Sequence, residues 1–230
     1  HPSNWDKYAG GRNTVARAVD CMNRDAAKKN RQRWKTRLEK ATAAMPGGHR
    51  LYDECHETML LHGTSPPVLL SILSNGLNEH FSGTSAGTAF GHGIYLAEEA
   101  GKIDQYVDLD SGFKASGDLA SLHKRLYGNA AEHPGHVFYC LVCRVAAGLV
   151  VRTQDPALFG KYPNTKPATG PDADKCKSMD TGHPIFPITL RELAPLAKTV
   201  PPVHYNTLVV EKNLAVEVDA YQASFGGASM

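Results

Sequence analysis

Leu60-Leu61-His62-Gly63-Thr64, then Gly91-His92-Gly93-Ile94-Tyr95-Leu96-Ala97, then Lys102-Ile103-Asp104-Gln105-Tyr106 punctuate one stretch of the chain, Leu60 to Val107. Two apolar runs in and beside it, Thr58–Leu61 and Ile94–Ala97, have strand length and are bounded by glycine or small polar residues, as expected of buried strands that end at a pocket. Ser65-Pro66-Pro67 predicts a helix start, since proline in the first turn loses no hydrogen bond there. Val68, Leu69, Ile72 and Leu73 recur at helical spacing, and Asn75-Gly76 stops the run. From Leu77 to Phe90 glycine, serine and threonine dominate, which predicts an ordered surface loop.

Taken together, His-Gly-Thr, a helix, a Gly-rich loop, Gly-x-Gly-Ile-Tyr-Leu-Ala-Glu and Lys-x-x-x-Tyr resemble the catalytic domain of the poly(ADP-ribose) polymerase family, the diphtheria-toxin-like ADP-ribosyltransferases. The match holds residue types, order and spacing over this stretch, whereas a lone His-Gly or Gly-x-Gly carries little. The resemblance implies an α+β fold with a split, mostly antiparallel sheet and surrounding helices. It also implies a cleft for NAD as co-substrate, built from His62–Thr64, the Gly76–Phe90 loop, Gly93–Ala97 and Tyr106. By the same resemblance, His62 hydrogen-bonds the adenosine ribose and the backbone of Gly63 binds the nicotinamide carboxamide. Tyr106 stacks on the nicotinamide ring, Tyr95 forms another wall, and Gly93 and Ala97 keep that wall thin.

Active polymerases of the family complete a His–Tyr–Glu set with a glutamate on a late strand. Two placements of that position are open. If Tyr205–Val210 is the late strand, Thr207 occupies it; if His204–Val209 is an earlier strand and Val216–Phe225 leads into the late one, the position falls near Ala223. Neither residue is an acid, and the nearby Glu211 and Glu217 read as exposed strand charges. Ile103 is a further departure, since many relatives have a small hydroxyl residue there. The catalytic candidates are therefore His62, Tyr95 and Thr207. The expected activity is mono-ADP-ribosyl transfer to a protein acceptor. The alternatives are a catalytically inactive module that binds NAD or ADP-ribose, protein or RNA, and hydrolysis of NAD.

With 230 residues and 42% hydrophobic content, the chain suffices for one well-buried domain and does not require two. We expect a polar, basic helical extension over 1–50 and the transferase domain over 51–230, with an atypical or truncated C-terminal strand. Residues 1–20 read as loosely packed, and a helical pattern runs from Val15 to about Ala44, with Trp34 and Leu38 as anchors. Its basic centre, Lys28 to Arg37, reads as a solvated helix face or as a patch for RNA, DNA or an acidic partner. A net charge of +2 makes no further case for nucleic acid. No run approaches the roughly 18 apolar residues of a membrane span, and no signal-peptide pattern stands at the front. A nuclear or cytoplasmic location is expected, and the missing initiator Met points to an excised fragment.

Further along, Asp118 is expected to cap a helix ending near Tyr127, with Leu119, Leu122 and Leu126 on one side. Val137–Val145 reads as a buried strand. Cys140 and Cys143 lie three apart within it and so face opposite sides, which argues against a shared metal ion. The five cysteines read as reduced and buried, and no metal site is expected.

Overall fold

Strand β1 (Glu57–Gly63) carries the centre of the first unit. Its first four residues are buried and its last three half-buried, so the strand is covered on both faces at its start and opens toward Gly63. It pairs antiparallel with β2 (Cys140–Ala146), from Glu57↔Ala146 to Gly63↔Cys140. The computed structural model describes residues 2–28, 50–78, 90–153, 177–178, 181–186, 191–196 and 198–210. They divide into two units: the described residues up to Gly148 except 90–92, and residues 90–92 with the described residues from Leu149 onward.

Within the first unit, helix α1 (Pro2–Lys28) begins well before the Val15 start expected, and residues expected to pack loosely are helical. The difference comes from tertiary anchors that local pattern does not reveal. Val19 is buried, Tyr8 Oη donates to the Glu57 carboxylate, and Arg12 lies 3.8 Å over the Tyr52 ring. Helix α2 (Pro66–Asn75) has the boundaries expected, with Pro66 and Pro67 in its first turn. It ends at Gly76, whose φ of 84° suits glycine and whose N–H donates to Ile72 O at 2.7 Å. Of its expected apolar face, Leu69 is buried, whereas Val68 and Leu73 are exposed.

Beyond the short helix α3 (Ala100–Ile103) and the 3-10 turn Asp104–Tyr106 comes helix α4 (Ala120–Leu126). Asp118 does not cap it: Leu119 stands at the N-cap and makes no side-chain capping bond. Leu122 is buried and Leu126 exposed, and the adjacent His123 is fully buried. The expected strand at Ile94–Ala97 is reduced to a single bridge, Leu61↔Ala97. The expected strand from Val137 likewise begins only at Cys140, because Val137 bridges to Asp110 instead. Cys140 and Cys21 are exposed, contrary to expectation, while Cys55 is buried and Cys143 partly so. Burial pushes the Cys143 thiol up to about 11.

In the second unit, β3 (Val150–Thr153) pairs parallel with β4 (Thr207–Val210). Val151, Ile185 and Phe186 form its core, with Leu193, Tyr205 and Leu208 against them. Among the described residues, no helix is long and apolar enough to cross a membrane.

Candidate active site

The edge of β1 explains how His62 and Gly63 come to present different groups. Leu61 donates its N–H to Ala97 O (2.8 Å) and accepts from Ala97 N (2.9 Å). Backbone groups alternate in direction along a strand, so Leu61 and Gly63 turn theirs toward the Ala97 edge while His62 turns its own toward β2. Continuation of this ladder would join Gly63 N–H to Tyr95 O, but the pairing ends after one bridge. The Tyr95 carbonyl instead lies 2.9 Å from Nδ1 of His62.

A carbonyl only accepts, so Nδ1 of His62 carries the proton, and in the neutral ring Nε2 keeps its lone pair. Gly63, meanwhile, directs one donor and one acceptor to an edge where pairing has stopped. A primary carboxamide offers the complementary acceptor and donor, and a hydroxyl can donate to Nε2 of His62. The resemblance assigns the carboxamide to the Gly63 backbone and the adenosine ribose to His62.

Gly63 has a second constraint. A β-carbon there would lie 2.5 Å from Ile103 O, 3.1 Å from Ile103 Cβ and 3.2 Å from Val107 Cγ1. Real β-carbons do not approach a carbonyl that closely, so the absent side chain admits α3 against the strand. Ile103 is 7% exposed and packs here as an aliphatic residue. The 3-10 turn that follows then carries Tyr106, which is 45% exposed, with Lys102 Nζ 5.5 Å from its ring centre. Tyr95 is also exposed, and Thr64 and Ala97 are half-buried. A β-carbon on Gly93 would meet nothing within 4 Å. The first unit thus holds His62, Gly63, Thr64, Gly93, Tyr95, Ala97 and Tyr106.

Thr207 belongs to the second unit. It opens β4, is half-buried, and donates its N–H to Leu149 O at 3.3 Å. Its side chain supplies no carboxylate. Ala223, Glu211, Glu217 and Val216–Phe225 lie outside the described residues, as do 79–89 of the Gly-rich loop, Trp34, Leu38, Cys176 and all of the basic run after Lys28.

A second polar cluster, absent from the sequence expectations, is buried in the first unit. Oδ2 of Asp110 accepts from His123 Nε2 (2.7 Å), Tyr139 Oη (2.7 Å) and His133 Nε2 (3.3 Å). Oδ1 takes the Gly112 N–H at 3.4 Å, and the Tyr127 and Tyr139 hydroxyls are 2.8 Å apart. Burial pushes the Asp110 carboxyl upward, but the bonds from Tyr139, His133 and His123 outweigh it and hold the group at about 2.

Asp110, His123 and His133 have their potential ligand atoms within 4.8 Å of one another, the spacing of a metal site. Their hydrogen bonds oppose that use. Nδ1 of His123 accepts the Lys114 N–H (2.7 Å), and Nδ1 of His133 accepts the Gly135 N–H (3.0 Å). The ring proton is therefore on Nε2 in both, the atom a metal would need. No motif spacing links Asp110, His123, His133 and Tyr139; only the folded chain joins them.

Neither curated proteins nor solved structures match the chain. The family model for the poly(ADP-ribose) polymerase catalytic domain matches residues 19–183, well over half of the chain. On that match the chain belongs to the poly(ADP-ribose) polymerase catalytic-domain family, whose activity is NAD-dependent ADP-ribosyl transfer.

Proposed function

We propose that this protein transfers a single ADP-ribose unit from NAD to a protein acceptor and releases nicotinamide. The observation that carries the reading is the ended ladder at Gly63. Its backbone donor and acceptor face the same edge as the Tyr95 carbonyl, which holds His62 with Nε2 as an acceptor. In the reaction, the bond from ribose C1′ to the nicotinamide nitrogen breaks. The nicotinamide ring keeps the bonding pair and leaves neutral, and an acceptor oxygen bonds to C1′. Gly63 would orient the leaving carboxamide, His62 the adenosine ribose, and Tyr95 and Tyr106 the flat ring.

Neither candidate for the third position, Thr207 or Ala223, has a carboxylate. A ribose hydroxyl extending a polymer must lose a proton as it attacks, whereas an acceptor carboxylate has none to lose. Single transfer to Asp or Glu side chains is therefore the chemistry best suited to this residue set. The acceptor linkage is then an ester, which neutral hydroxylamine cleaves.

A non-catalytic NAD-binding module is the second reading, favoured by Ile103, which is buried, aliphatic and offers the carboxamide no hydroxyl. Incubation with labelled NAD, alongside His62→Ala, separates the readings. Hydroxylamine-labile single-unit label that the variant lacks supports transfer. Nicotinamide release without label indicates hydrolysis, and NAD binding without either signal indicates the module. Label stable to hydroxylamine would exclude carboxylate acceptors.

A further inference from the structure

We infer that Asp110 is a positioning residue for Tyr106, acting through the backbone that joins them; this rests on the NAD-cleft reading above. Tyr106 is nearly half exposed, and the Lys102 ammonium lies 5.5 Å from its ring centre. Its direction is therefore set by the main chain on which it stands, and that main chain is a short strap with two anchors.

The near anchor is at Gly63, where Ile103 and Val107 sit against the glycine. Val107 to Leu109 then belong to no element, and Asp108 and Leu109 are exposed. The far anchor is Asp110, 2% exposed, four residues beyond Tyr106. Its N–H donates to Val137 O (2.8 Å) and its C=O accepts from Val137 N (2.9 Å), which ties the strap to the segment leading into β2. Its carboxylate gathers donors from α4 (His123), from the turn after it (His133) and from the approach to β2 (Tyr139). Both imidazoles are themselves locked at Nδ1 by the Lys114 and Gly135 amides. Such a fully satisfied buried network specifies one arrangement and resists sliding.

Asp110→Asn keeps the volume, but no orientation of the amide can accept all three donors without turning its NH2 toward the Gly112 N–H. The strap then keeps its near anchor and loses definition at the far one. Because Tyr106 is expected to face nicotinamide and His62 the adenosine ribose, the two halves of NAD report separately.

The test titrates the full chain with nicotinamide and, separately, with ADP-ribose, following protein NMR signals. Asp110→Asn is expected to weaken nicotinamide about tenfold and to leave ADP-ribose within about twofold. Added to Tyr106→Ala, it is expected to cause no further loss, as coupling through one residue requires. Equal loss of both ligands, no loss in a folded variant, or full additivity with Tyr106→Ala overturns the inference. Wild-type chain that binds ADP-ribose but not nicotinamide overturns it while leaving the His62 side of the cleft standing; wild-type chain that binds neither sinks the cleft reading and the inference together. If Asp110→Asn does not fold, Tyr139→Phe removes one of the three donors and carries the same comparison with a smaller loss. One tightly bound zinc ion per purified chain, with Asp110 and both histidines as ligands, would overturn the network as drawn.

Discussion

The main-chain oxygen of Ile103 stands 2.5 Å from where a β-carbon on Gly63 would lie. The strand and α3 meet at backbone distance, and Tyr106 stands on the turn that follows α3. Gly63→Ala is expected to push α3 and Tyr106 outward, weakening nicotinamide binding at least about tenfold and destabilising the fold by about 1–3 kcal/mol through overpacking. Gly93→Ala is the companion variant, because its β-carbon meets no protein atom within 4 Å. Its melting temperature is expected to match wild type while NAD affinity falls. Thermal unfolding and ligand titration on both variants check the pair; Gly63→Ala with wild-type nicotinamide affinity would contradict the dependence of Tyr106 on this contact.

Glu57 and Arg144 clamp the start of the β1–β2 pair to α1. The Glu57 carboxylate takes Arg144 Nε at 3.1 Å, a second guanidinium contact, the Tyr8 hydroxyl and the Tyr52 N–H at 2.9 Å, and its side chain is fully buried. Burial raises its pKa, but Arg144, Tyr8 and the Tyr52 amide outweigh that and lower it overall. Arg144→Ala leaves a buried carboxylate short of its cation and is expected to cost about 3–5 kcal/mol. Urea unfolding gives the magnitude. Because the Arg144 guanidinium lies 5.6 Å from the Trp5 ring, a change in tryptophan emission should accompany it.

Acid should unfold this protein in a defined window. Asp110 is held at about 2 in the folded chain against 3.8 for the free group, so its contribution is fully present above about pH 4 and is lost as pH falls toward 2. That shift corresponds to about 2 kcal/mol. The depressed carboxyl of Glu57 acts in the same direction, from its ordinary 4.5 downward. Stability measured against pH is expected to fall below about pH 4, and the deficit of Asp110→Asn relative to wild type to narrow over the same range. A deficit unchanged between pH 5 and pH 2 would show that Asp110 does not act through its charge.

Gly10 and Gly11 sit inside α1, and a β-carbon on either meets nothing within 4 Å. Each therefore carries the entropic cost of helical glycine with no packing reason for it. Gly10→Ala and Gly11→Ala are each expected to stabilise the fold by about 0.5–1 kcal/mol, read as a rise in melting temperature. Loss of stability would mean that the helix does not persist through this pair in solution.

What the sequence determined by itself were the features set by local chemistry or by dense motif spacing. Pro66, Pro67 and Gly76 delimit α2 because ring closure and a positive φ act within a turn, and the order and spacing of the His62-Gly63-Thr64 and Gly93-to-Ala97 segments pointed to the family that the match over residues 19–183 shows. Tertiary structure alone decided the rest. The Tyr95 carbonyl is taken by the His62 ring, which cuts an expected strand to one bridge; Tyr8 and Arg12 tie α1 to partners 49 and 40 residues away. Asp110, His123, His133 and Tyr139 come from four separate segments and show no periodicity. Their meeting depends on burial and hydrogen-bond satisfaction across long chain separations, a nonlocal balance that no window of sequence contains.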